Sequence, residues 1–250
     1  MIHFTPPPPI HLWGPLQINS HGFFFLVGAL AAFFWTRSRV RPEYREAVEA
    51  SLPYMVIGGV LGARLAWVVL NPAILTHPGE IFKVWSGGLV SYGGLIGAVL
   101  AWLLFLRWNR LPVAELTEAM APTALLGWGI GRLGCLLHWA QEWGTVTTVP
   151  WAFVVGSDPP RHPVMLYQAL MLLAAAPLAA WLGRRFGSAA GWSLLLYGLS
   201  RFVGDFFREW NPEWLAQTSR GTALALALVG LVLVLRRGRS SGSSAESPTR

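Results

Sequence analysis

Seven apolar runs constrain the fold of this chain more than any other feature of its sequence. They lie at residues 21–36, 52–71, 88–106, 119–138, 163–183, 189–208 and 220–236. A helix needs about 20 apolar residues to cross a hydrocarbon core roughly 30 Å thick, and each run is near that length. Only 12% of the residues are charged, about half the usual fraction in a soluble domain. The sequence therefore predicts an all-α, polytopic membrane protein with about seven transmembrane helices.

Basic residues are distributed unevenly between the loops that join these runs. Twelve of the 19 Lys and Arg residues fall in one set of loops and the C-terminal tail: Arg37, Arg39, Arg41, Arg45, Arg107, Arg110, Arg184, Arg185, Arg236, Arg237, Arg239 and Arg250. The opposite loops, counted with the run ends beside them, hold Lys83, Arg161, Arg208 and Arg220, and the interiors of the runs hold Arg64, Arg132 and Arg201. Because cytoplasmic loops are enriched in Lys and Arg, we expect the N-terminus outside and the C-terminus in the cytoplasm.

The remaining composition narrows the class of function. We expect one integral membrane domain over residues 1–238 and a disordered, Ser/Gly-rich cytoplasmic tail over residues 239–250. The formal charge of +7 comes from residues spread between the runs, so membrane lipids are expected partners and nucleic acid is not. The histidines are scattered and no nucleotide-binding motif is present, so we expect no metal and no other cofactor.

An arginine, Arg132, lies in the middle of the fourth run, and His138 follows it at the end of that run. Gly127, Gly131 and Gly134 share one helical face, which would allow another helix to approach closely. An arginine at the bilayer centre costs roughly 2.5–3.5 kcal/mol on an insertion scale. Arg132 could snorkel to the headgroups, but we favour a fixed positive charge that binds an anion inside a membrane cavity.

The sixth run carries three charges, at Arg201, Asp205 and Arg208. Residues spaced i, i+4 and i+7 share a helical face, so these side chains are predicted to form one charged stripe. Asp205 could orient one arginine and leave the other for a ligand. The alternative is an ion cluster that only packs helices together.

Two further motifs have a structural and a functional interpretation. Two Gly pairs bracket Ser91 and Tyr92, which suggests an irregular backbone that presents a phenol, although Gly pairs often serve helix packing. The sequence Arg161-His162-Pro163 precedes Tyr167 on the fifth run, and His162 could equally be a helix cap.

Seven short strings together resemble the prolipoprotein diacylglyceryl transferase family, and they occur in family order. They are GPLQINSHG (14–22), GARLAW (62–67), VWSGGLVSYGGLIG (84–97), GIGRLGCLL (129–137), VPWAF (149–153), PRHPVMLYQAL (160–170) and LYGLSRFVGDFFRE (196–209). The resemblance implies a multi-pass enzyme of the bacterial plasma (inner) membrane. Such an enzyme transfers diacylglyceryl from phosphatidylglycerol to the lipobox cysteine thiol of a prolipoprotein signal peptide and releases glycerol phosphate.

The family's functional positions map onto this chain by motif. The resemblance implies that Arg132 and Arg201 are essential and bind the phosphate of phosphatidylglycerol, with Asp205 in place of a more familiar Glu. Arg64 matches the GARL motif, and Tyr92, Gly93 and Gly94 match the motif around the second Gly pair. We therefore expect Arg64, Gly93 and Gly94 to help bind the substrate and Tyr92, Arg201 and Asp205 to act in catalysis.

The polar part of the expected site departs from the familiar pattern. Tyr92 replaces a His of the best-known members, Cys135 replaces an Asn, and His21 replaces a Tyr. The segment HWAQE (138–142) replaces an Asn-Gly-Glu type of segment, in which Glu142 is a candidate for the family's Glu.

The identity of the general base stays open on these observations. A phenol titrates near pH 10 and an imidazole near pH 6.5, so His21 or His138 suits the role better than Tyr92. Two alternatives to the transferase also remain: a diverged paralogue that has lost or changed the reaction, and an anion or lipid transporter that uses the same arginines. Two similar halves, common in transporters, are not found in the sequence.

Overall fold

The computed structural model of the chain describes residues 1–8, 10–13, 16–83, 88–138, 144–210 and 212–242. Within these ranges it forms seven α-helices: α1 Ser20–Arg39, α2 Arg45–Leu70, α3 Ser91–Trp108, α4 Val113–His138, α5 Val164–Phe186, α6 Ala189–Gly204 and α7 Trp214–Gly242. Each predicted apolar run overlaps one of these helices, so the helical fold class is confirmed.

Four helical segments of the described chain are long and apolar enough to cross a membrane. They are Pro42–Leu70, Val113–His138, Val164–Phe186 and Trp214–Arg237, and Tyr92–Trp108 is a shorter apolar helix. These segments support a helical membrane protein. The number of crossings and the sides on which the termini lie stay predictions.

Helix α6 ends earlier than the sequence suggests. The apolar run continues to residue 208, but the helix ends at Gly204 after 16 residues. Asp205 is its C-cap residue, and the backbone N–H of Phe207 donates to the carbonyl of Gly204 at 3.1 Å, which turns the chain. The prediction of one helical stripe through Arg201, Asp205 and Arg208 is therefore wrong for Arg208, which follows the helix.

Helix α7 is longer than its apolar run. It begins at Trp214, so it includes Arg220 well inside its N-terminal part, and it continues to Gly242. The predicted tail begins at residue 239, and the helix includes residues 239–242. Residues 243–250 lie outside the described residues, so the disordered tail stays a prediction for them.

Short strands tie the N-terminal segment together and to a later loop. Strand β1 (Ile2–His3) pairs in parallel with β4 (Phe153–Val154), and β2 (Ile10–Trp13) pairs antiparallel with β3 (Leu16–Ile18). Strands of two to four residues are too short to produce a readable alternation of apolar and polar residues, so the sequence does not reveal them.

The described helices belong to two compact units. The first contains residues 1–38 and 117–250, and the second contains residues 39–116. A single membrane domain over residues 1–238 stays a prediction.

In the first unit, glycines let α1 and α4 approach at backbone distance. A methyl group added to Gly28 would overlap the carbonyl of Gly127, and one added to Gly127 would lie 2.8 Å from the carbonyl oxygen of Gly28. A Cβ added to Gly134 would likewise lie 2.7 Å from the Cβ of Phe24, and one added to Gly131 would lie 3.1 Å from the ring of Phe25. The predicted close-packing face of the fourth run is therefore confirmed.

The core of the first unit joins α4 to α5 and α6. It is built from Leu125, Leu172, Ala175, Ala176 and Ala179, which are all buried. The side chains of Trp128, Trp192, Leu196 and Tyr197 pack against it. This core fixes the helices that carry Arg132 and Arg201.

In the second unit, α2 and α3 pack through a row of glycines. A Cβ on Gly62 would overlap the carbonyl of Gly93 and lie 2.8 Å from the Cα of Gly97. A Cβ on Gly58 would lie 2.7 Å from the carbonyl oxygen of Gly97. Small residues at such an interface replace side-chain burial by direct backbone contact, which is a common way for membrane helices to associate.

Candidate functional site

The end of α6 and the second turn of α7 meet at the carboxylate of Asp205, which is fully buried. The Oγ of Ser219 donates to Oδ2 of Asp205 at 2.6 Å, and Nε of Arg201 lies 3.3 Å from Oδ1. Arg201 also donates to the Oγ of Ser219, from Nε at 3.3 Å and from Nη2 at 3.0 Å. The three side chains form a closed triangle that links the two helices. The predicted pairing of Arg201 with Asp205 is present.

Two further arginines lie at the same acid. Arg208 brings its Nε to 3.9 Å from Oδ1 of Asp205, because the turn after α6 folds back toward the carboxylate. Arg220 donates from Nη2 to the backbone carbonyl of Asp205 at 3.4 Å, and its guanidinium lies 4.5 Å from the centre of the Phe206 ring. Three guanidinium groups therefore lie at one acidic residue, two beside its carboxylate and one at its backbone carbonyl, which makes this region attractive to an anion.

Sequence reasoning missed part of this cluster. The sequence groups Arg208 with Arg201 and Asp205, but the distribution of charge counts Arg220 only as a residue of an outward loop, and Ser219 does not stand out in the sequence at all. The polar pair Ser219-Arg220 at the start of the last apolar run is the signal that could have indicated a contact with Asp205.

Arg132 is buried in α4, with 3% of its surface exposed. Its guanidinium lies 5.6 Å from the centre of the Trp128 ring, one turn earlier on the same helix, in a cation–π contact. Trp128 in turn packs on the core shared with α5 and α6. Burial inside the protein favours a fixed charge over an arginine that snorkels to the headgroups.

His21, Cys135 and His138 lie together where α1 begins and α4 ends. The Nδ1 of His21 is 3.4 Å from the Sγ of Cys135, and the ring centres of His21 and His138 are 6.1 Å apart. Cys135 is buried and packs with Leu136 and Met165, while His138 is exposed. The structure thus brings the two candidate basic imidazoles to one place. Residues 139–143, including Glu142, lie outside the described residues.

In the second unit, Arg64 holds the segment that precedes Tyr92. It donates from Nε to the carbonyl of Ile81 at 2.8 Å, from Nη1 to the carbonyl of Gly88 at 3.0 Å, and from Nη2 to the carbonyl of Glu80. Its guanidinium also stacks 4.4 Å from the ring centre of Trp67. Through these contacts the buried Arg64 stabilises the loop between α2 and α3. Binding of substrate by Arg64 stays a prediction.

Gly88 is the position where this loop requires glycine. Its φ is +72°, and an added Cβ would lie 2.7 Å from both Nη1 of Arg64 and Cε2 of Trp67. The helix α3 then begins at Ser91, so Tyr92 lies in its first turn, with its side chain exposed. The irregular backbone that we expect before Tyr92 is present.

Gly93 serves helix packing in this structure. A Cβ on Gly93 would overlap the Cβ of Ala66 and lie 2.5 Å from the carbonyl oxygen of Gly62, whereas one on Gly94 would meet its neighbours at 3.3 Å or more. The packing interpretation of the second Gly pair therefore holds for Gly93. A role of Gly93 and Gly94 in substrate binding remains a prediction.

His162 does not cap α5. The helix has Pro163 at its N-cap position and no side-chain cap, while the Nδ1 of His162 is 3.0 Å from the hydroxyl of Tyr167. Trp151 donates from Nε1 to the same hydroxyl at 2.7 Å. Burial lowers the pKa of His162 below its usual value of 6.5.

The loop around His162 is fastened to the chain that follows α6. The backbone N–H of Thr145 donates to the carbonyl of Phe207 at 2.9 Å, and Nη1 of Arg161 donates to the carbonyl of Gly144 at 2.9 Å. Arg161 also pairs with Glu209. The loop and the Asp205 cluster are therefore parts of one connected region of the first unit. Within the described residues, no group of three or more His, Cys, Asp or Glu side chains is placed to hold a metal ion.

Comparison with known proteins gives a consistent result along almost the whole chain. A family model described as prolipoprotein diacylglyceryl transferase matches residues 7–236. Three relatives carry the name phosphatidylglycerol–prolipoprotein diacylglyceryl transferase. The one from Cupriavidus metallidurans is 34% identical over 96% of this chain and 97% of the relative. The one from Nitratidesulfovibrio vulgaris strain DP4 is 34% identical, with coverages of 93% and 94%, and the one from Oleidesulfovibrio alaskensis is 35% identical, with coverages of 88% and 89%.

Proposed function

The chain belongs to the prolipoprotein diacylglyceryl transferase family, and on that premise we propose which of its residues carry out the reaction. It is a membrane transferase that moves the diacylglyceryl group of phosphatidylglycerol to a prolipoprotein. We assign the acceptor as the lipobox cysteine thiol at the signal peptide, so the reaction is the first step of bacterial lipoprotein maturation. The buried Arg201–Asp205–Ser219 triangle, with two more arginines beside it, is the observation that carries the assignment of the site.

The reaction creates negative charge at the phosphate. A base removes the thiol proton, the thiolate attacks the glyceryl carbon next to the phosphate, an S–C bond forms and the C–O bond breaks. The electron pair of that bond stays on the phosphate oxygen, so a singly charged diester becomes a monoester with a second negative charge. Guanidinium groups that bind this phosphate are therefore favoured more in the transition state than in the bound substrate.

Arg201 and Arg132 are the proposed phosphate-binding residues. Asp205 and Ser219 occupy Nε and Nη2 of Arg201, whereas Nη1 is buried and makes no hydrogen bond within the described residues. A phosphate oxygen at Nη1 would complete the hydrogen bonds of Arg201 and supply the missing negative charge. Arg132, stacked on Trp128, holds a second charge at a fixed position in α4.

The general base is proposed to be an imidazole at the junction of α1 and α4. His21 and His138 lie together there, and the contact of Nδ1 of His21 with the Sγ of Cys135 orients its ring. A free imidazole is half protonated near pH 6.5, which suits proton abstraction at neutral pH better than a phenol does. Tyr92 would then help to place the substrate rather than accept the proton.

We also propose seven crossings of the bacterial plasma membrane, with the N-terminus outside and the C-terminus in the cytoplasm. The excess of arginines in alternate loops supports this orientation. Fusing alkaline phosphatase into the exposed loop after Thr76 should give activity, because that loop faces outward in this arrangement. A fusion after Gly242 should give none, and an active phosphatase at Gly242 would contradict the orientation.

Complementation tests the function. The chain is expressed in cells depleted of their own transferase, and the electrophoretic mobility of a reporter lipoprotein with its lipobox cysteine is followed. We expect modification by the parent chain and none by Arg132→Ala or Arg201→Ala, at equal amounts in the membrane. The exposed Arg107→Ala, on the cytoplasmic side in the proposed topology, serves as the charge-matched control. Modification by Arg201→Ala at the parental level would contradict the proposed mechanism.

A further inference from the structure

We infer that Ser219 is a positioning residue of the transfer reaction: its hydroxyl fixes the guanidinium of Arg201 so that Nη1 is directed to the phosphate. The inference rests on the proposed function, because it concerns the same phosphate site. It assigns a role to a residue on α7, the helix that also carries Arg220.

The chemistry of the three groups fixes the direction of their hydrogen bonds. A guanidinium only donates, an ionised carboxylate only accepts, and a hydroxyl does both. The Oγ of Ser219 must therefore donate its one proton to Oδ2 of Asp205, at 2.6 Å, and accept from Nε and Nη2 of Arg201 with its lone pairs. No other assignment of the proton is compatible with the two partners.

Asp205 alone would orient Arg201 poorly. Its Oδ1 is 3.3 Å from Nε of Arg201, an ion pair without a hydrogen bond within the described residues, and the two residues are one turn apart at the same helix end. Ser219 adds two contacts to the same edge of the guanidinium from a different helix. Because Asp205 and Ser219 both contact the Nε–Nη2 edge of the guanidinium, rotation about the side-chain bonds of Arg201 is restricted. The direction of Nη1 is therefore fixed.

This arrangement separates positioning from binding. Ser219 does not contact the proposed phosphate donor, Nη1, and it carries no charge. Removing its hydroxyl should therefore lower kcat, which depends on the alignment of Arg201 in the transition state, more than it changes KM for phosphatidylglycerol. Threonine keeps a hydroxyl on the same Cβ and should preserve the alignment.

The experiment compares Ser219→Ala, Ser219→Thr and the control Thr222→Ala with the parent, all as purified full-length chains in detergent with phosphatidylglycerol. The acceptor is a synthetic signal peptide that contains a lipobox cysteine, and release of glycerol phosphate is measured. Thr222 lies on the same helix, is exposed, and donates from its hydroxyl to the carbonyl of Thr218. Each rate is divided by the amount of folded protein, which is measured from the tryptophan fluorescence of the monodisperse peak in size-exclusion chromatography. A lower yield of a variant therefore changes neither its kcat nor its KM.

We expect kcat of Ser219→Ala to fall about 10- to 100-fold, as loss of a hydrogen bond to a charged group predicts, with KM within about threefold. Ser219→Thr should keep most of the parental kcat, and Thr222→Ala all of it. Parental kcat in Ser219→Ala, or equal loss in folded Ser219→Thr, would overturn the inference and leave the transferase function intact. An inactive parent would instead overturn the proposed function.

Discussion

Asp205 is a fully buried carboxylate that pairs with two arginine side chains, Arg201 and Arg208, while Arg220 donates to its backbone carbonyl. Removing one partner of a buried ion pair leaves the other charge uncompensated, which costs about 3–5 kcal/mol. The arginines cannot lose their charge at accessible pH, so the cost falls on the fold and on the geometry of the site. The carboxylate is therefore both a stabilising and an orienting group.

The charge of Asp205 can be separated from its shape by two substitutions. We predict that Asp205→Asn abolishes diacylglyceryl transfer and lowers the amount of folded protein, because the amide cannot neutralise an arginine. Asp205→Glu keeps the charge, and a Glu is familiar at this position in the family, so we expect it to retain at least a tenth of the activity. Activity per folded protein is the measurement. Equal activity of the two variants would show that the negative charge is unnecessary.

His162 gives the fold a predictable dependence on pH. Burial lowers the pKa of His162 in the folded chain, so the unfolded chain, with a pKa near 6.5, binds a proton more readily. Stability should therefore fall as the pH drops below about 6.5 and level off below the folded pKa.

Thermal unfolding at pH 7.5 and pH 5.5 measures this effect. We expect the drop in Tm toward pH 5.5 to be smaller in His162→Gln than in the parent, because glutamine does not titrate and its amide can still bond to Tyr167. The exposed His77→Gln is the control and should keep the parental difference between the two pH values. An unchanged drop in His162→Gln would exclude His162 as the cause.

Glycine rows, rather than large apolar side chains, join α2 to α3 and α1 to α4. Where two helix backbones touch, a single methyl group has no space, and the packing is sensitive to one atom. The sequence shows the glycines but does not show which of two neighbouring glycines faces the partner helix. That distinction follows from the rotation of each helix, which the structure provides.

Two adjacent glycines of α2 test this packing. A Cβ on Gly58 would lie 2.5 Å from the Cβ of Ala101, whereas one on Gly59 would lie 3.6 Å from the nearest atoms of α3. We predict that Gly58→Ala lowers Tm in detergent by several degrees. Gly59→Ala should leave Tm unchanged or raise it, because alanine is favoured over glycine in a helix by about 0.5–1 kcal/mol. The opposite order of the two Tm values would refute the packing described for α2 and α3.

The sequence predicts the helices of this protein well, but it predicts only part of the contacts within the candidate site. Apolar length predicts the seven helices, because a segment needs about 20 apolar residues to cross a membrane. Local spacing reveals Arg201 with Asp205, which are neighbours on one turn. The contact of Ser219 with Asp205 and that of His21 with Cys135 join residues 14 and 114 positions apart, so no spacing rule reveals them. The end of α6 is also hidden, since Phe206 and Phe207 continue the apolar run although the chain has already turned.

The shortness of α6 has a consequence for the lipid around it. Its 16 residues span only ~24 Å, which is less than a hydrocarbon core of roughly 30 Å. In the proposed seven-span arrangement α6 is a short span, and a short span draws the bilayer thinner beside it. Phosphatidylglycerol headgroups next to α6 would then sit several ångströms deeper than elsewhere and nearer to Arg201.

In nanodiscs with a fixed fraction of phosphatidylglycerol, we predict that transfer slows as the acyl chains of the bulk lipid lengthen from 14 to 22 carbons, and a constant rate would contradict this. In the proposed arrangement the membrane itself takes part in substrate delivery, because its thickness controls how readily the lipid reaches Arg201.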